Sequence, residues 1–418
     1  MSDDEADPEL IALLRKSLGL DSEPATGRPA ETKVLENAQY IFDNSIDVAL
    51  DPSKTKQAAE TIWRLMQEKE YSTQTWSDHE LHPQSKDEST VNFIFTMDLL
   101  NFSFWSDEPD ESKRFVIEYH GKTYSGYWSL VAALQRALEE DIPITTPSFW
   151  LDEEQCSESV LKHVFRSATE EEMPLLRERM QCLREAGQVL CDVYDGSFVN
   201  CIYEANNSAG VLVNLLAEEF ACFRDESIFH GRKVRFYKRA QILVADLWAC
   251  FNGQSFGEFH DIDKVTMFAD YRIPQMLHQL GCLMYSPPLD SHIRSLKTIP
   301  SGSTWEAEMR GTSIWCVELI RREIERRHPE VKARRISTSI PNRAETNITN
   351  GLDESIQQKG DQSQQHSRQN SRDSATKQAP LFGVNAILID FFLYDTMKKL
   401  ELEKQESVPH HRTRSIWY

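Results

Sequence analysis

The stretch Val384-Asn385-Ala386-Ile387-Leu388-Ile389-Asp390-Phe391-Phe392-Leu393-Tyr394-Asp395 constrains this chain most. It is apolar almost throughout and helical by spacing, yet too short to span a membrane, so other parts of the protein must cover it. Residues 330–380, just before it, are rich in Ser, Gln, Asn, Arg and Asp, with almost no large apolar side chain. Such a segment cannot offset its ordering entropy by burial, and disorder is expected there. The late helix must therefore dock into a core built by earlier residues, with the polar insert looped out. Loop-closure cost grows slowly with length, so this is tolerable.

The earlier chain carries the matching helical pattern. Leu35, Ala38, Ile41 and Phe42 are followed by Ala58, Ile62, Leu65 and Met66 at helix spacing. Further helices are predicted over Glu170–Tyr194, Ala209–Phe223, Phe236–Phe251, Pro274–Met284 and Thr304–Arg327. Ser303-Thr304-Trp305-Glu306 opens the last of these as a capping box. Phe115–Tyr119 and Lys122–Tyr124 read as short strands around a His120-Gly121 turn. The predicted fold class is mainly α with a small β-hairpin. Residues 1–30 are expected to form a loose acidic tail, with one short helix over Pro8–Leu18. Residues 31–329 form the helical domain, 330–380 the polar insert, and 381–418 a helix and tail that complete the domain. The aromatic, basic end His411–Tyr418 is expected to dock onto the body.

Charge narrows the partners. Lys and Arg number 46 against 66 Asp and Glu, for a net charge of −20. A phosphate backbone is repelled by that average, so no direct binding of polymeric nucleic acid is expected. The eight cysteines are scattered and form no C-x-x-C pair, and the acidic N-terminus has no apolar signal core. A reducing cytoplasmic location is expected, with the nucleus also open to the chain, and no membrane partner. His79 and His82 lie three apart, but no other cluster completes a metal site, so neither metal nor other cofactor is expected. Phosphate-loop, dinucleotide and esterase-elbow motifs are absent.

The candidate site residues are acids among apolar neighbours. Asp390 and Asp395 sit in a helix otherwise made of Ile, Leu, Phe and Tyr, where a carboxylate is costly unless it is paired. Phe391 and Asp395 are four apart and share a face. An aromatic plate flanked by carboxylates would suit a base rich in N–H donors. Pairing of both acids with arginines of the basic C-terminus is the other reading. Asp270 lies in Met267-Phe268-Ala269-Asp270-Tyr271-Arg272-Ile273-Pro274-Gln275. Pro274 suits a first helical turn, so Asp270 is expected at the positive end of a helix, ionised, with its pKa held low. Such an acid beside an aromatic wall would stabilise a cation, or serve as a cap and core contact. Lys238 and Arg239 open a helix and would hold a phosphate, or pair with surplus acids. His79, in a loop, would make one hydrogen bond or lie exposed.

These segments together resemble the queuosine salvage family, the queuosine 5′-phosphate N-glycosylase/hydrolases. The likeness runs from about Val34 to the C-terminus, outside the 330–380 insert. It rests on Asn101–Ser106, Gly121–Leu130, Phe236–Trp248, Met267–Gln275, Ile314–Arg321 and His411–Tyr418 in that order. The resemblance implies a compact helical monomer whose core is similar to helix-hairpin-helix DNA glycosylases. It implies cleavage of queuosine 5′-phosphate to queuine and ribose 5-phosphate, with the queuine used in tRNA modification. Asp270 matches the acid assigned as nucleophile or transition-state stabiliser, and Phe268, Asp390, Phe391, Asp395 and His79 match positions that contact queuine. Relatives can carry Tyr where this chain has Phe391, and the insert and acidic extension depart from the family pattern. A non-catalytic queuine- or queuosine-binding protein would use the same pocket.

Overall fold

A computed structural model describes residues 27–73, 76, 79–330, 383–403 and 408–418, with the backbone alone at Leu402. The helix predicted over Pro8–Leu18, most of the acidic tail and nearly all of the 330–380 insert lie outside those residues.

The longer elements are α1 (Val34–Asn44), β1 (Val48–Leu50), α2 (Pro52–Glu68), α3 (Glu88–Leu99), β2 (Ile117–Tyr119), β3 (Lys122–Tyr124) and α4 (Tyr127–Glu139). They continue with α5 (Leu176–Val193), α6 (Ala209–Glu219), β4 (Glu226–Phe229), β5 (Arg232–Arg235) and α7 (Lys238–Cys250). Last come α8 (Arg272–Gln279), β6 (Leu283–Tyr285), α9 (Thr304–Arg327) and α10 (Ala386–Leu402). The protein is mainly helical, with three two-stranded sheets among the described residues.

Helix α9 is the axle. It packs against α1, α2, α8 and α10, and its residues from Glu306 to Glu318 are buried all round. Gly311 sits where a Cβ would come within 2.6 Å of Ile41, so the closeness of α1 to α9 depends on having no side chain there. Ser303 caps α9 through a bond from the Glu306 main-chain N–H at 3.4 Å, and Glu306 reaches back to the main-chain N–H of Gly302 at 2.9 Å. That is the expected capping exchange, displaced by one residue. Around this axle α7 packs on α3 and α6, while α8 packs on α10.

The β2–β3 hairpin forms where predicted, in antiparallel register from Ile117↔Tyr124 to Tyr119↔Lys122. Its turn residues His120 and Gly121 both take positive φ, 49° and 73°. The β4–β5 hairpin has the same device, His230-Gly231 at 47° and 78°. A third sheet pairs β1 with β6, where a continuation of the Pro274–Met284 helix was predicted. That helix stops at Gln279, and Gly281 turns the chain at φ 75° so that Leu283–Tyr285 can pair with Val48–Leu50. Helix α5 likewise starts late, at Leu176, because Leu175 takes a left-handed φ of 54° directly after Pro174.

Candidate active site

Two segments far apart in sequence meet at this site. The first is the irregular stretch 266–270, whose end turns as the Asp270 main-chain N–H donates to the Phe268 carbonyl at 2.7 Å. Gln241 of α7 accepts a bond from the Thr266 main-chain N–H at 2.9 Å and donates to the Phe236 carbonyl at 3.0 Å. Arg310 of α9 donates from Nε to the Ala269 carbonyl at 2.9 Å. Its guanidinium is held in turn by Asp225, at 2.5 and 2.9 Å, and by Glu306 at 3.2 Å, all of them buried. The C-terminal residue Tyr418 donates its hydroxyl to Glu306 at 3.1 Å, and Arg310 lies over its ring.

Asp270 follows directly. Its Oδ1 accepts the main-chain N–H groups of Arg272 and Ile273 at 2.8 and 3.0 Å, capping α8. Its Oδ2 accepts no hydrogen bond among the described residues, and the residue keeps part of its surface open. One oxygen therefore fastens the loop, while the other is unbonded among the described residues. The expectation of a low pKa is corrected. Burial pushes the carboxyl above its ordinary value, and the capping bonds and the Lys238 charge offset this in part. A helix end lowers an acid's pKa, but here desolvation is the larger effect.

The second segment is α10, capped by Asn385 through the Leu388 main-chain N–H at 2.9 Å. It brings Asp390 against the first segment, where Asp390 Oδ2 accepts the main-chain N–H of Phe268 at 2.9 Å. Burial and the charge of Asp270 push Asp390 well above the usual carboxylate range. The Phe268 and Phe391 rings meet at 5.9 Å between centroids, tilted by 49°. Phe268 is 2% exposed, so Phe391 offers the more open ring surface. Asp395 is exposed rather than buried, and its Oδ2 accepts the Tyr71 hydroxyl at 2.6 Å. Neither acid pairs with a C-terminal arginine; Arg412 and Arg414 reach Asp107 instead.

Lys238 opens α7 and is buried. It faces Asp270, Asp98 and Asp390; burial lowers its pKa and these acids work against that. Arg239 does not join it as a phosphate ligand. Its guanidinium donates to the carbonyls of Leu99 and Cys222 and lies over the rings of Phe102 and Phe223, which commits it to holding α3 near α7.

His79 stands apart from the Asp270–Asp390 group. It stacks on Trp128 at 3.3 Å, and its Nδ1 accepts the Leu81 main-chain N–H at 3.2 Å. The neutral ring therefore carries its proton on Nε2, and burial favours that neutral form. Trp128 packs edge-on against the neighbouring Tyr127, whose hydroxyl bonds His82 Nε2 at 2.7 Å. His82 is fixed as well, with Nδ1 on the Trp76 carbonyl at 2.6 Å and a pKa lowered to about 3 by burial.

Sequence reasoning did not anticipate Tyr71, Tyr394, Arg272, Asp98 or Asp246. Tyr394 shares the electrostatic surroundings of Asp270 and Asp395. Arg272 pairs with Glu401 of α10 and ties α8 to it. Asp98 and Asp246 carried a readable signal, a lone acid in an apolar helical run, the same one that marked Asp390. Among the described residues, no three His, Cys, Asp or Glu side chains cluster as a metal ion would require.

This geometry can be set beside known proteins. Residues 81–418 match the family model described as queuosine salvage protein. The chain is 47% identical over 400 residues to the queuosine 5′-phosphate N-glycosylase/hydrolase of Schizosaccharomyces pombe, covering 93% of this chain and 100% of that one. It is 40% identical over 383 residues to the protein of that name from Nematostella vectensis, covering 92% and 97%. A bacterial protein of that name, from Sphaerobacter thermophilus, is 40% identical over 291 residues, covering 70% and 85%. A match of this length, with the Asp270 and Asp390 segments inside it, shows that the chain belongs to the queuosine salvage protein family.

Proposed function

We propose that this chain hydrolyses the N-glycosidic bond of queuosine 5′-phosphate, releasing queuine for tRNA modification and ribose 5-phosphate. The observation that carries the reading is the divided role of Asp270. One oxygen caps α8, and the other is unbonded beside an aromatic and acidic wall.

Glycosidic cleavage builds positive charge on the ribose ring. Ionised Asp270 stabilises that charge at the anomeric carbon, and Lys238 at the sugar end offsets part of the burial that raises the carboxyl's pKa. Water supplies hydroxide to the anomeric carbon and a proton to the departing base. That base is a 7-deazaguanine, which lacks the N7 where a purine leaving group is usually protonated, so binding of the base must compensate. Phe391, backed by Phe268, stacks on it, worth about 1–3 kcal/mol by analogy with bases on aromatic platforms. Burial strengthens the hold of Asp390 on a proton, and in its protonated form it can both donate and accept, which suits the mixed edge of the base. Asp395 and His79 contact the base or its side arm from the rim. We extend the proposal to the framework, a core similar to helix-hairpin-helix DNA glycosylases; the acid set just before a short helix in a mainly helical body supports it.

The test is incubation with queuosine 5′-phosphate, queuosine nucleoside and queuosine-containing tRNA, followed by mass spectrometry. Free queuine from the nucleotide is the expected result. Binding without release would make the protein a queuine carrier, and release from tRNA would make it a polymer glycosylase.

A further inference from the structure

The end of α2 supplies a residue that the proposed chemistry has not used. The main-chain N–H of Tyr71 donates to the Met66 carbonyl at 2.9 Å, and that of Glu70 to the Gln67 carbonyl at 3.2 Å. Glu70 takes a left-handed φ of 52°. These two bonds close the helix in the Schellman pattern and fix the direction in which Tyr71 leaves it. The Tyr71 ring then stands edge-on to Phe392 of α10, 5.4 Å between centroids at 88°, and Phe392 is buried. The helix end and the ring contact together set where the hydroxyl lies. It donates to Asp395 Oδ2 at 2.6 Å, across 324 residues of sequence.

Asp395 is exposed, so the fold tolerates it without a partner. It makes no ion pair among the described residues, and its Oδ1 accepts no hydrogen bond there. The Lys69 ammonium lies over the Phe392 ring, 5.0 Å from its centre, rather than on the carboxylate. Asp395 shares a helix face with Phe391, about 6 Å further along α10. A flat base stacked on Phe391 therefore has an oriented carboxylate one helical turn away, where a substituent on the base would reach.

We propose that Tyr71 is a positioning residue for specificity: its hydroxyl holds Asp395 so that the free oxygen receives a cationic amine on the arm of a 7-deazaguanine base. The proposal rests on the reading of this cleft as the queuine site. Queuine carries such an arm, with a secondary amine that is protonated at neutral pH. An ammonium on a carboxylate is a charge-assisted bond, and a carboxylate already aimed loses less freedom on binding. Desolvation raises the pKa of Asp395, and the Tyr71 hydroxyl and the Lys69 charge work against that, so the hydroxyl also favours the charged form. A base with a neutral arm gains nothing from this arrangement, so Tyr71 and Asp395 select by charge.

The probes are 7-aminomethyl-7-deazaguanine, whose arm is cationic, and 7-cyano-7-deazaguanine, whose arm is neutral, titrated calorimetrically into the full chain. Wild type should bind the aminomethyl base about tenfold or more tightly than the cyano base. Tyr71→Phe keeps the ring against Phe392 and should lower affinity for the aminomethyl base by about five- to tenfold, with the cyano base nearly unchanged. Asp395→Asn, at an exposed position, should do the same more strongly, and adding Tyr71→Phe to it should cost little further. A merely structural bond between α2 and α10 would weaken both bases alike. Equal affinity of wild type for the two bases overturns the proposal, as do equal losses for both bases in Tyr71→Phe. Wild type that discriminates between the bases but releases no queuine from queuosine 5′-phosphate keeps this inference and removes the hydrolase reading. Hydrolysis without discrimination does the reverse.

Discussion

The main-chain N–H of Phe268 donates to Asp390 Oδ2 at 2.9 Å across 122 residues of sequence. That bond joins the loop carrying Asp270 to a helix that follows the polar insert, so the site is assembled when α10 docks. Asp390→Ala removes a buried acceptor and strands the amide, at a cost of about 1–3 kcal/mol. Asp390→Asn keeps an acceptor and, like a protonated carboxyl, a donor, so it should fold and hold queuine close to wild type, whereas Asp390→Ala should lose queuine affinity. Denaturant unfolding and calorimetric titration with queuine check the pair of variants. Equal queuine affinity in wild type and Asp390→Ala would remove Asp390 from base recognition.

The same residue sets a pH dependence of stability. Its folded pKa is raised above the unfolded value by burial. Stability from that held proton is fully present below the ordinary Asp value, and is lost as pH rises through the raised one. Asp390→Asn has no proton to lose there, so its stability relative to wild type should improve as pH rises from acid to neutral. Paired unfolding curves across that window read the sign directly.

Asp270→Asn keeps a capping oxygen for Arg272 and Ile273 and should therefore fold. It removes the charge facing the ribose, and kcat should fall by about a hundredfold to a thousandfold, the scale of losing one preorganised electrostatic group. Queuine affinity should change little, because the base is held by the other wall of the site. Turnover near wild type in single-turnover assays would exclude Asp270 from the chemistry.

How much of this was legible from sequence follows from the kind of signal each residue leaves. Asp390 was readable because an acid in an apolar helix needs a reason, and Pro274 placed Asp270 at a helix start. The direction of Asp270's shift was not readable, since desolvation depends on α7, α9 and α10 closing round it. Arg239 looked like a phosphate ligand beside Lys238, but adjacent helical residues point about 100° apart, and it is held by carbonyls of Leu99 and Cys222. The β1–β6 pairing joins Val48–Leu50 to Leu283–Tyr285, and nothing local in either short segment announces the other. The β4–β5 hairpin was readable in principle from its His230-Gly231 turn, the twin of His120-Gly121.

Lys238 should set the acid limb of activity. Its positive charge lowers the raised pKa of Asp270. Lys238→Met keeps an apolar stem of similar length and removes that charge, so Asp270 should hold its proton to higher pH. The acid limb of kcat/KM should move to higher pH, and KM for queuosine 5′-phosphate should rise while queuine affinity stays the same. An acid limb that stays in place would separate Lys238 from Asp270; a matching loss of queuine affinity would remove Lys238 from the sugar-phosphate end.

Arg310 carries the last prediction, because it serves fold and site through different atoms. Its Nη atoms bind Asp225 and Glu306, and its Nε fixes the Ala269 carbonyl one residue before Asp270. Arg310→Met fills much of the same volume but leaves two buried acids without their cation, at a cost of about 3–5 kcal/mol. Arg310→Lys keeps the charge and loses the planar fork that reaches both acids and the carbonyl at once. It should recover part of the stability measured by unfolding, yet leave kcat depressed, because a compact ammonium cannot hold Ala269 while also bridging the acids. Full recovery of kcat in Arg310→Lys would show that the Ala269 bond does not position Asp270.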